Sequence, residues 1–326
     1  MIKRTVQALM MSIALCSVAY SPVVQADASN FPSKEVNIIV PFAAGGGSDA
    51  LARLVGKELS KMWDRPVIVQ NKPGADGNIG AQYVASSKPD GYTLMVLDIG
   101  IITMGDLFYK DLAFDPASDF DPVTILTFSP HVLVAHPSLE AKNVKALVEY
   151  SKAHPDDMNF ASHNNSAALA GYRLSADTGF TAEQIPYKGA GAATSDLISG
   201  RVNTSLVSLM LATPLIKDGS LNAIAVASPE RMPTIPEVPM VIESGVEDYV
   251  MGSWQAVVAP AGVPTDIIHK INQDIRIALE QEEVQETLKA TGAEILGNSP
   301  EEFQSLITEQ RQLYKEVADR AGLEPQ

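Results

Sequence analysis

Apolar positions along this chain fall into short β-branched runs that alternate with stretches of helical spacing. Val36–Val40 is apolar on both sides of Asn37 and reads as a buried strand. After a glycine-rich segment, Leu51, Leu54, Val55 and Leu59 recur at the spacing of one helix face, which predicts a helix opening near Ser48-Asp49. Val67-Ile68-Val69, closed by Asn71-Lys72-Pro73-Gly74, is a second strand, and residues 92–97, entered through Pro89-Asp90-Gly91, are a third. Strands separated by helical stretches predict βαβ units with a mostly parallel sheet.

A second set begins near Thr124. Strands are expected at residues 132–135, 158–161, 184–187, 204–209 and 223–227, with a helix at 144–153 and a polar loop at 162–166 before another helix. Pro229, Pro233, Pro236 and Pro239 mark a long irregular connection. Residues 253–258 read as a strand returning to the first set. Ile267, Ile268, Ile271 and Ile275 line one face of a helix that starts at Thr265-Asp266. Ser299-Pro300-Glu301-Glu302 has the cap, the first-turn proline and the capping-box glutamate of a helix start, and that last helix should bury Phe303, Leu306, Ile307, Tyr314 and Val317.

The beginning of the chain has a different pattern. Lys3 and Arg4 precede a mostly apolar stretch at 6–16, and Val24-Gln25-Ala26 supplies small residues for cleavage, so residues 1–26 are expected to be a cleaved signal peptide. The apolar stretch falls short of the ~18 residues that a spanning helix needs, and Ser12, Ser17 and Pro22 interrupt or bound it. Cys16 is the only cysteine, and Leu15 stands before it where lipid attachment wants a small residue. Cleavage after Ala26 leaves no cysteine, which excludes disulfides, thiolate metal sites and cysteine nucleophiles. No later segment is apolar for long enough to span a bilayer, so a soluble periplasmic protein is expected.

With 24 Lys+Arg against 39 Asp+Glu the formal charge is −15, and it becomes −17 once Lys3 and Arg4 leave with the signal. So acidic a chain argues against nucleic acid and anionic lipid as partners. It leaves room for an anionic ligand, because backbone N–H groups and helix N-termini hold anions whatever the net charge. A mature length of about 300 residues fits two lobes better than one.

The segment from Val40 to Ala50 joins a strand to a helix through Gly45-Gly46-Gly47. Unpaired N–H groups at such a helix start welcome an anion. The letters also fit a loose dinucleotide pattern, but Gln70 and Asn71 stand where a ribose-binding acid belongs. No Gly-Lys-Ser/Thr follows, so a P-loop is excluded. Three consecutive glycines cost more backbone entropy than a turn requires, which favours a ligand-contact loop over a bare turn.

Nothing along the chain assembles a catalytic set. His131, His136, His154, His163 and His269 are scattered without metal-ligand spacing, and no G-x-S-x-G elbow occurs. Neither a metal nor a cofactor is expected, and the chain is expected not to be an enzyme.

Six motifs in order resemble one family over nearly the whole mature chain. They are Val40-Pro41-Phe42-Ala43-Ala44-Gly45-Gly46-Gly47-Ser48-Asp49 with Ala52-Arg53; Asn71-Lys72-Pro73-Gly74-Ala75 with Gly77-Asn78-Ile79-Gly80; Pro89-Asp90-Gly91-Tyr92-Thr93-Leu94; Pro186-Tyr187-Lys188-Gly189; Pro236-Glu237-Val238-Pro239; and Ala259-Pro260-Ala261-Gly262-Val263-Pro264. The chain resembles the Bug-type extracytoplasmic solute-binding receptors of the tripartite tricarboxylate transporters. That resemblance implies an α/β, two-lobed periplasmic-binding-protein fold of type II-like layout, mostly parallel sheets with crossing strands at the hinge. The first lobe is expected at 27–125 plus 247–326 and the second at 126–246.

The resemblance further implies a small carboxylate ligand, aliphatic or aromatic, enclosed between the lobes. On the first lobe it implies contacts from Phe42, Ala44, Gly45, Gly46, Gly47, Ser48 and Asp49, with backbone N–H groups and the Ser48 hydroxyl as donors. On the second it implies Ser162, His163, Asn164, Asn165, Ser166 and Ala167, with Tyr187, Lys188 and Gly189 lining the hinge side and Ser208 as a further contact at the end of a strand. The second-lobe loop is bulkier than the family's usual Gly-Ser-Gly. His163 and Arg173 are the candidates for a second carboxylate, against a solvent-facing turn and a surface ion pair respectively. Ser208 replaces an aspartate carried by many members, and in amino-acid binders such an acid could meet the ammonium group; its loss tilts the expectation toward a ligand without an amine. Asp76 replaces a usual glycine, with no sequence-level account. The implied partners are the membrane subunits of a tripartite transporter. An exported α/β hydrolase and a ligand sensor docking on a membrane kinase are the alternatives.

Overall fold

The computed structural model describes residues 30–187 and 189–325; the expected leader at 1–26 and Lys188 lie outside the described residues. The first unit contains β1 (Val36–Val40), α1 (Gly47–Trp63), β2 (Val67–Asn71), α2 (Asn78–Ala85), β3 (Thr93–Asp98) and the short helices α3 (Gly100–Thr103) and α4 (Gly105–Phe108). A long strand, β4 (Phe120–Ala135), leads into the second unit of α5 (Val144–Ala153), β5 (Asn159–Ser162), α6 (Asn165–Thr178) and β6 (Glu183–Pro186). That unit continues with α7 (Ala190–Ile198), β7 (Thr204–Ser208), α8 (Leu209–Lys217) and β8 (Asn222–Val226). The chain returns through β9 (Gly252–Pro260) to α9 (Thr265–Leu279), α10 (Glu282–Ala290), β10 (Glu294–Ile295) and α11 (Pro300–Ala321).

The strand order is β2-β1-β3-β9-β4-β7-β5-β6, with β8 and β10 also paired to β4. Pairing is parallel where a helical crossover joins the strands, as in β1 with β2 and β3 and in β5 with β6 and β7. It is antiparallel wherever β4 or β9 takes part. The result is a mixed sheet: the parallel pairs lie in the outer strands, and the two crossing strands run against their neighbours.

β4 is the element that joins the units. Its first half pairs with β9 from Phe120↔Pro260 to Pro130↔Gly252, and its second half pairs with β7 and β8. The hydropathy pattern predicts only its last four residues. Pro122 and Pro130 remove ladder donors, and Thr124, Thr127 and Ser129 break the apolar run. Register shifts between Pro122 and Thr124 and between Ile125 and Thr127 absorb the irregularity.

Helices cover both faces of each sheet, so alternate strand residues are buried on opposite sides. Ile38 and Val40 pack with Leu51, Val55 and Leu59 of α1 and with the predicted isoleucine stripe of α9. Ile39 faces the other way, against Ala81 and Val84 of α2 and Phe303 and Ile307 of α11. In the second unit, α5 and α6 cover one face and α7 and α8 the other. The capping box of α11 forms as its sequence predicts, with Ser299 Oγ accepting the Glu302 N–H at 3.2 Å and Glu302 Oε2 accepting the Ser299 N–H at 2.8 Å. α11 packs into both cores. Phe303 and Ile307 join the first core, while Tyr314 and Val317 join the second, and Arg320 pairs with Asp177 of α6 at 2.7 Å. α11 therefore straps one unit to the other.

Candidate functional site

The glycine loop ends where α1 begins, and its shape is set by Asp49. This buried carboxylate accepts the Gly45 N–H at 2.9 Å, Arg53 Nε at 3.1 Å and Asn71 Nδ2 at 2.9 Å, and pairs with Arg53 Nη2 at 2.9 Å. The Arg53 guanidinium, with the Gly45 N–H, holds its pKa down at about 2. Asn71 Nδ2 also donates to the Phe42 carbonyl at 3.1 Å, tying the loop to the end of β2. Asp49, expected as a ligand contact, thus has its oxygens occupied within the first unit. Gly46 caps α1 without a side-chain hydrogen bond, and the N–H groups of the first helical turn have no intrahelical acceptor.

Ser48 follows, and its Oγ donates to Gln255 Oε1 at 2.6 Å. Gln255 Nε2 donates to Ser253 Oγ at 3.1 Å and reaches Asp98 Oδ2 at 3.4 Å, and Ser253 Oγ itself hydrogen-bonds Asp98 Oδ2. Asp98 Oδ1 accepts the Gly100 N–H at 2.9 Å. A polar chain therefore crosses the floor of the cleft from α1 through β9 to the end of β3. Burial pushes the Asp98 pKa up, against the pull of the Ser253 and Gly100 hydrogen bonds.

Facing α1 is the start of α6. Asn164 Oδ1 caps it by accepting the Ala167 N–H at 2.7 Å. Asn164, Asn165 and Ser166 line the same cavity as Phe42 and Ser48, a space of about 210 Å3 that also meets Asp76, Asn78, Asp98, Gly100 and Tyr109. Tyr109 donates to Asp76 Oδ2 at 3.0 Å, and the Asn165 side chain approaches the Tyr109 hydroxyl across the cleft. Two helix N-termini, one from each unit, thus converge on one polar chamber.

A second chamber of about 450 Å3 shares Ser253 and Gln255 with the first. Its other walls include Gly47, Leu51 and Leu54 of α1, Thr127 and Ser129 of β4, Leu288 of α10, and Ser208 and Met210 at the start of α8. Thr127 and Ser129 stand opposite Gln255 and Ser253 in the antiparallel ladder, which puts four polar side chains on one stretch of the hinge. This chamber is more apolar than the first.

The remaining sequence-predicted residues, Lys188 aside, lie outside both chambers. Ala44, Gly45 and Gly46 are exposed on the loop beside them. Ser162 is buried at the end of β5, where its carbonyl accepts the Tyr187 N–H at 2.7 Å, and Ala167 is buried beneath the first turn of α6. The Tyr187 hydroxyl donates to Asp196 Oδ2 at 2.9 Å, and Gly189 caps α7. His163 lies near the buried His131, and Nδ1 of each is without a hydrogen-bond partner among the described residues. Burial lowers both histidine pKa values, that of His131 to about 3, with His163 as a second cause, so both rings are neutral at pH 7. Arg173 is neither at the surface nor in the cleft. It is buried, donates from Nη2 to the Asp248 carbonyl at 2.6 Å, pairs with Asp177 at 3.3 Å and lies 4.9 Å from the Tyr249 ring centre.

Asp76, Asn78, Asp98, Gly100, Tyr109, Ser253 and Gln255 were not expected from sequence. Asp98 had a usable signal: it ends a parallel strand, and ligands of α/β sheets sit beyond carboxyl ends of strands. Ser253 and Gln255 carried another, as polar residues two apart in an otherwise apolar strand. Chemically the chamber offers donors from two helix starts and acceptors from two aspartates, an arrangement for holding a small molecule. Of the serines that line it, Ser48 and Ser253 have their hydroxyls hydrogen-bonded to Gln255 and Asp98, and His131 and His163 stand outside it.

The family model for the tripartite tricarboxylate transporter family receptor matches residues 51–323. BugT of Bordetella pertussis is 33% identical over 303 residues, covering 90% of this chain and 91% of BugT. The solved R. palustris protein Rpa4515 with adipate superposes with a TM-score of 0.81 at 32% identity, over 91% of this chain and 100% of that one. MatC from Rhodopseudomonas palustris with bound malate gives a TM-score of 0.78 at 30% identity, over 88% of this chain and 100% of MatC.

Proposed function

The chain belongs to the tripartite tricarboxylate transporter receptor family, and on that premise we propose that it encloses a small carboxylate in the polar chamber between its two units. It is a solute-binding receptor by family, of the periplasmic binding-protein type. The observation that carries the finer reading is the convergence of the α1 and α6 N-termini on one cavity. Their first-turn N–H groups and the positive ends of both helix dipoles suit a carboxylate, even on a chain of net charge −15. Because the Ser48 hydroxyl is committed to Gln255, backbone N–H groups rather than that hydroxyl are the donors in this reading.

The solved relatives with adipate and malate support a carboxylate as the ligand class. Closure follows from one ligand being held by helix starts of both units, with β4 and β9 as the hinge. The loaded protein then delivers its ligand to the membrane subunits of a tripartite transporter, after export by the signal peptide expected at 1–26.

A thermal-shift screen with mono-, di- and tricarboxylates and aromatic acids tests the reading. A ligand present at 100 times its Kd should stabilise the fold by about 2.7 kcal/mol. No shift with any carboxylate at millimolar concentration would overturn it. The hydrolase alternative predicts product on long incubation with the stabilising ligand.

A further inference from the structure

We propose that the ligand carries, besides its carboxylate, a protonated amine, and that Asp98 and Asp76 select for it. The inference rests on the reading of the polar chamber as the ligand site. What it adds comes from how donors and acceptors are distributed around that chamber.

The two helix starts supply N–H donors, as a carboxylate requires. The acceptors come from elsewhere: Asp98 at the end of β3 and Asp76 in the turn before α2 line the same cavity. The hydrogen bonds on the floor run toward Asp98, from Ser48 through Gln255 and Ser253, and Gly100 N–H adds a donor on its other oxygen. These contacts orient the carboxylate, and an ionised carboxylate has about four lone-pair sites, more than they fill.

Asp76 is unusual in its backbone as well. It is a non-glycine residue at φ 53°, and its Oδ2 accepts the Tyr109 hydroxyl at 3.0 Å. Aspartate is costlier than glycine in this left-handed conformation. The gain is a carboxylate at the cavity wall, anchored to the residue that meets Asn165 of the other unit.

A second carboxylate on the ligand would meet acids on the chamber wall, whereas an ammonium group against either of them completes both charge and hydrogen bonding. Ser208 lies in the apolar chamber, and the acids of the polar chamber come from the first unit.

Matched pairs of probes test this by calorimetry: aspartate against succinate, glutamate against glutarate, and 4-aminobutanoate against butanoate. The protein should bind at least one amine-bearing probe about tenfold or more tightly than its amine-free partner. Asp98→Asn, which keeps size and an acceptor for the Gly100 N–H, should abolish that preference while leaving the amine-free acid bound equally or better. Asp76→Gly, suited to the left-handed backbone, should reduce the preference and decides the matter if the Asp98 variant does not fold. Amine-free acids bound as tightly as their partners, with ratios unmoved by both variants, would overturn this inference and leave the receptor reading intact. No binding of any probe or any screened carboxylate would overturn both.

Discussion

Ser48 Oγ donates to Gln255 Oε1 across 2.6 Å, joining the first turn of α1 to a crossing strand 207 residues away in the chain. The contact ties the helix start proposed to hold the carboxylate to the hinge and continues through Ser253 to Asp98. Ser48→Ala should cost about 1 kcal/mol in stability, the net worth of one hydrogen bond. Because the proposed donors are backbone N–H groups, carboxylate affinity measured by calorimetry should fall only about two- to tenfold. A loss of a thousandfold would show that the hydroxyl itself holds the ligand.

Asp49 organises the loop through Gly45, Arg53 and Asn71. Its folded pKa of about 2 lies below the ordinary 3.8, so its stabilisation is complete above pH 4 and disappears as pH falls through 2. Asp49→Asn should destabilise the protein by about 1–3 kcal/mol at pH 7, the usual range for a hydrogen bond to a charged group. Urea titrations of both proteins should show the gap closing between about pH 4 and pH 2. A gap independent of pH would mean that the amide's shape, not the lost charge, is responsible.

His131 provides a pH dependence of opposite origin. Its folded pKa is lowered to about 3 from an ordinary 6.5, so below pH 6.5 the unfolded chain takes up a proton that the native state refuses. Stability should therefore fall as pH drops from 6.5 toward 3, by up to about 1.4 kcal/mol per pH unit for this group. His131→Phe should flatten that slope, as read from melting temperatures at pH 7 and pH 5. The neighbouring His163, lowered by its own burial, leaves a residual slope.

Gly80 lets α2 dock on the loop that follows β1. A Cβ there would come within 2.7 Å of Pro41 Cβ, 2.8 Å of Pro41 Cα and 3.0 Å of the Lys72 carbonyl oxygen. Two of those atoms are backbone and cannot turn aside. Gly80→Ala should cost about 1–3 kcal/mol, the range for overpacking a close contact, and should weaken ligand binding by moving Pro41 and Phe42. Unchanged stability in denaturant titration would show that the helix has room to shift.

The elements themselves were legible because periodicity is a local property. The helix stripe of Leu51, Val55 and Leu59, the isoleucine face of α9 and the capping box at Ser299 each lie within a few turns of one another, and each forms as read. β4 was legible only at its end, since two prolines and a row of hydroxyl side chains disguise a strand paired on both sides. Asp49 and Arg173 show the converse limit. A charged residue near a glycine loop or early in a helix looks available, and only the partners brought by folding reveal that its hydrogen bonds are already made.

From the residues alone came the alternating α/β build, the anion-friendly start of α1, and six ordered motifs that resemble one receptor family. Those features follow from short-range pattern and backbone chemistry, so no tertiary information is needed to see them. Which side chains face one another across the cleft was decided by the crossing strands. β9 brings Gln255 to Ser48 and Ser253 to Asp98 over separations of 207 and 155 residues, and α6 brings Asn165 to Tyr109. A pairing at that range depends on strand register and on the packing of two cores, and neither is written in the local sequence of any one of these residues.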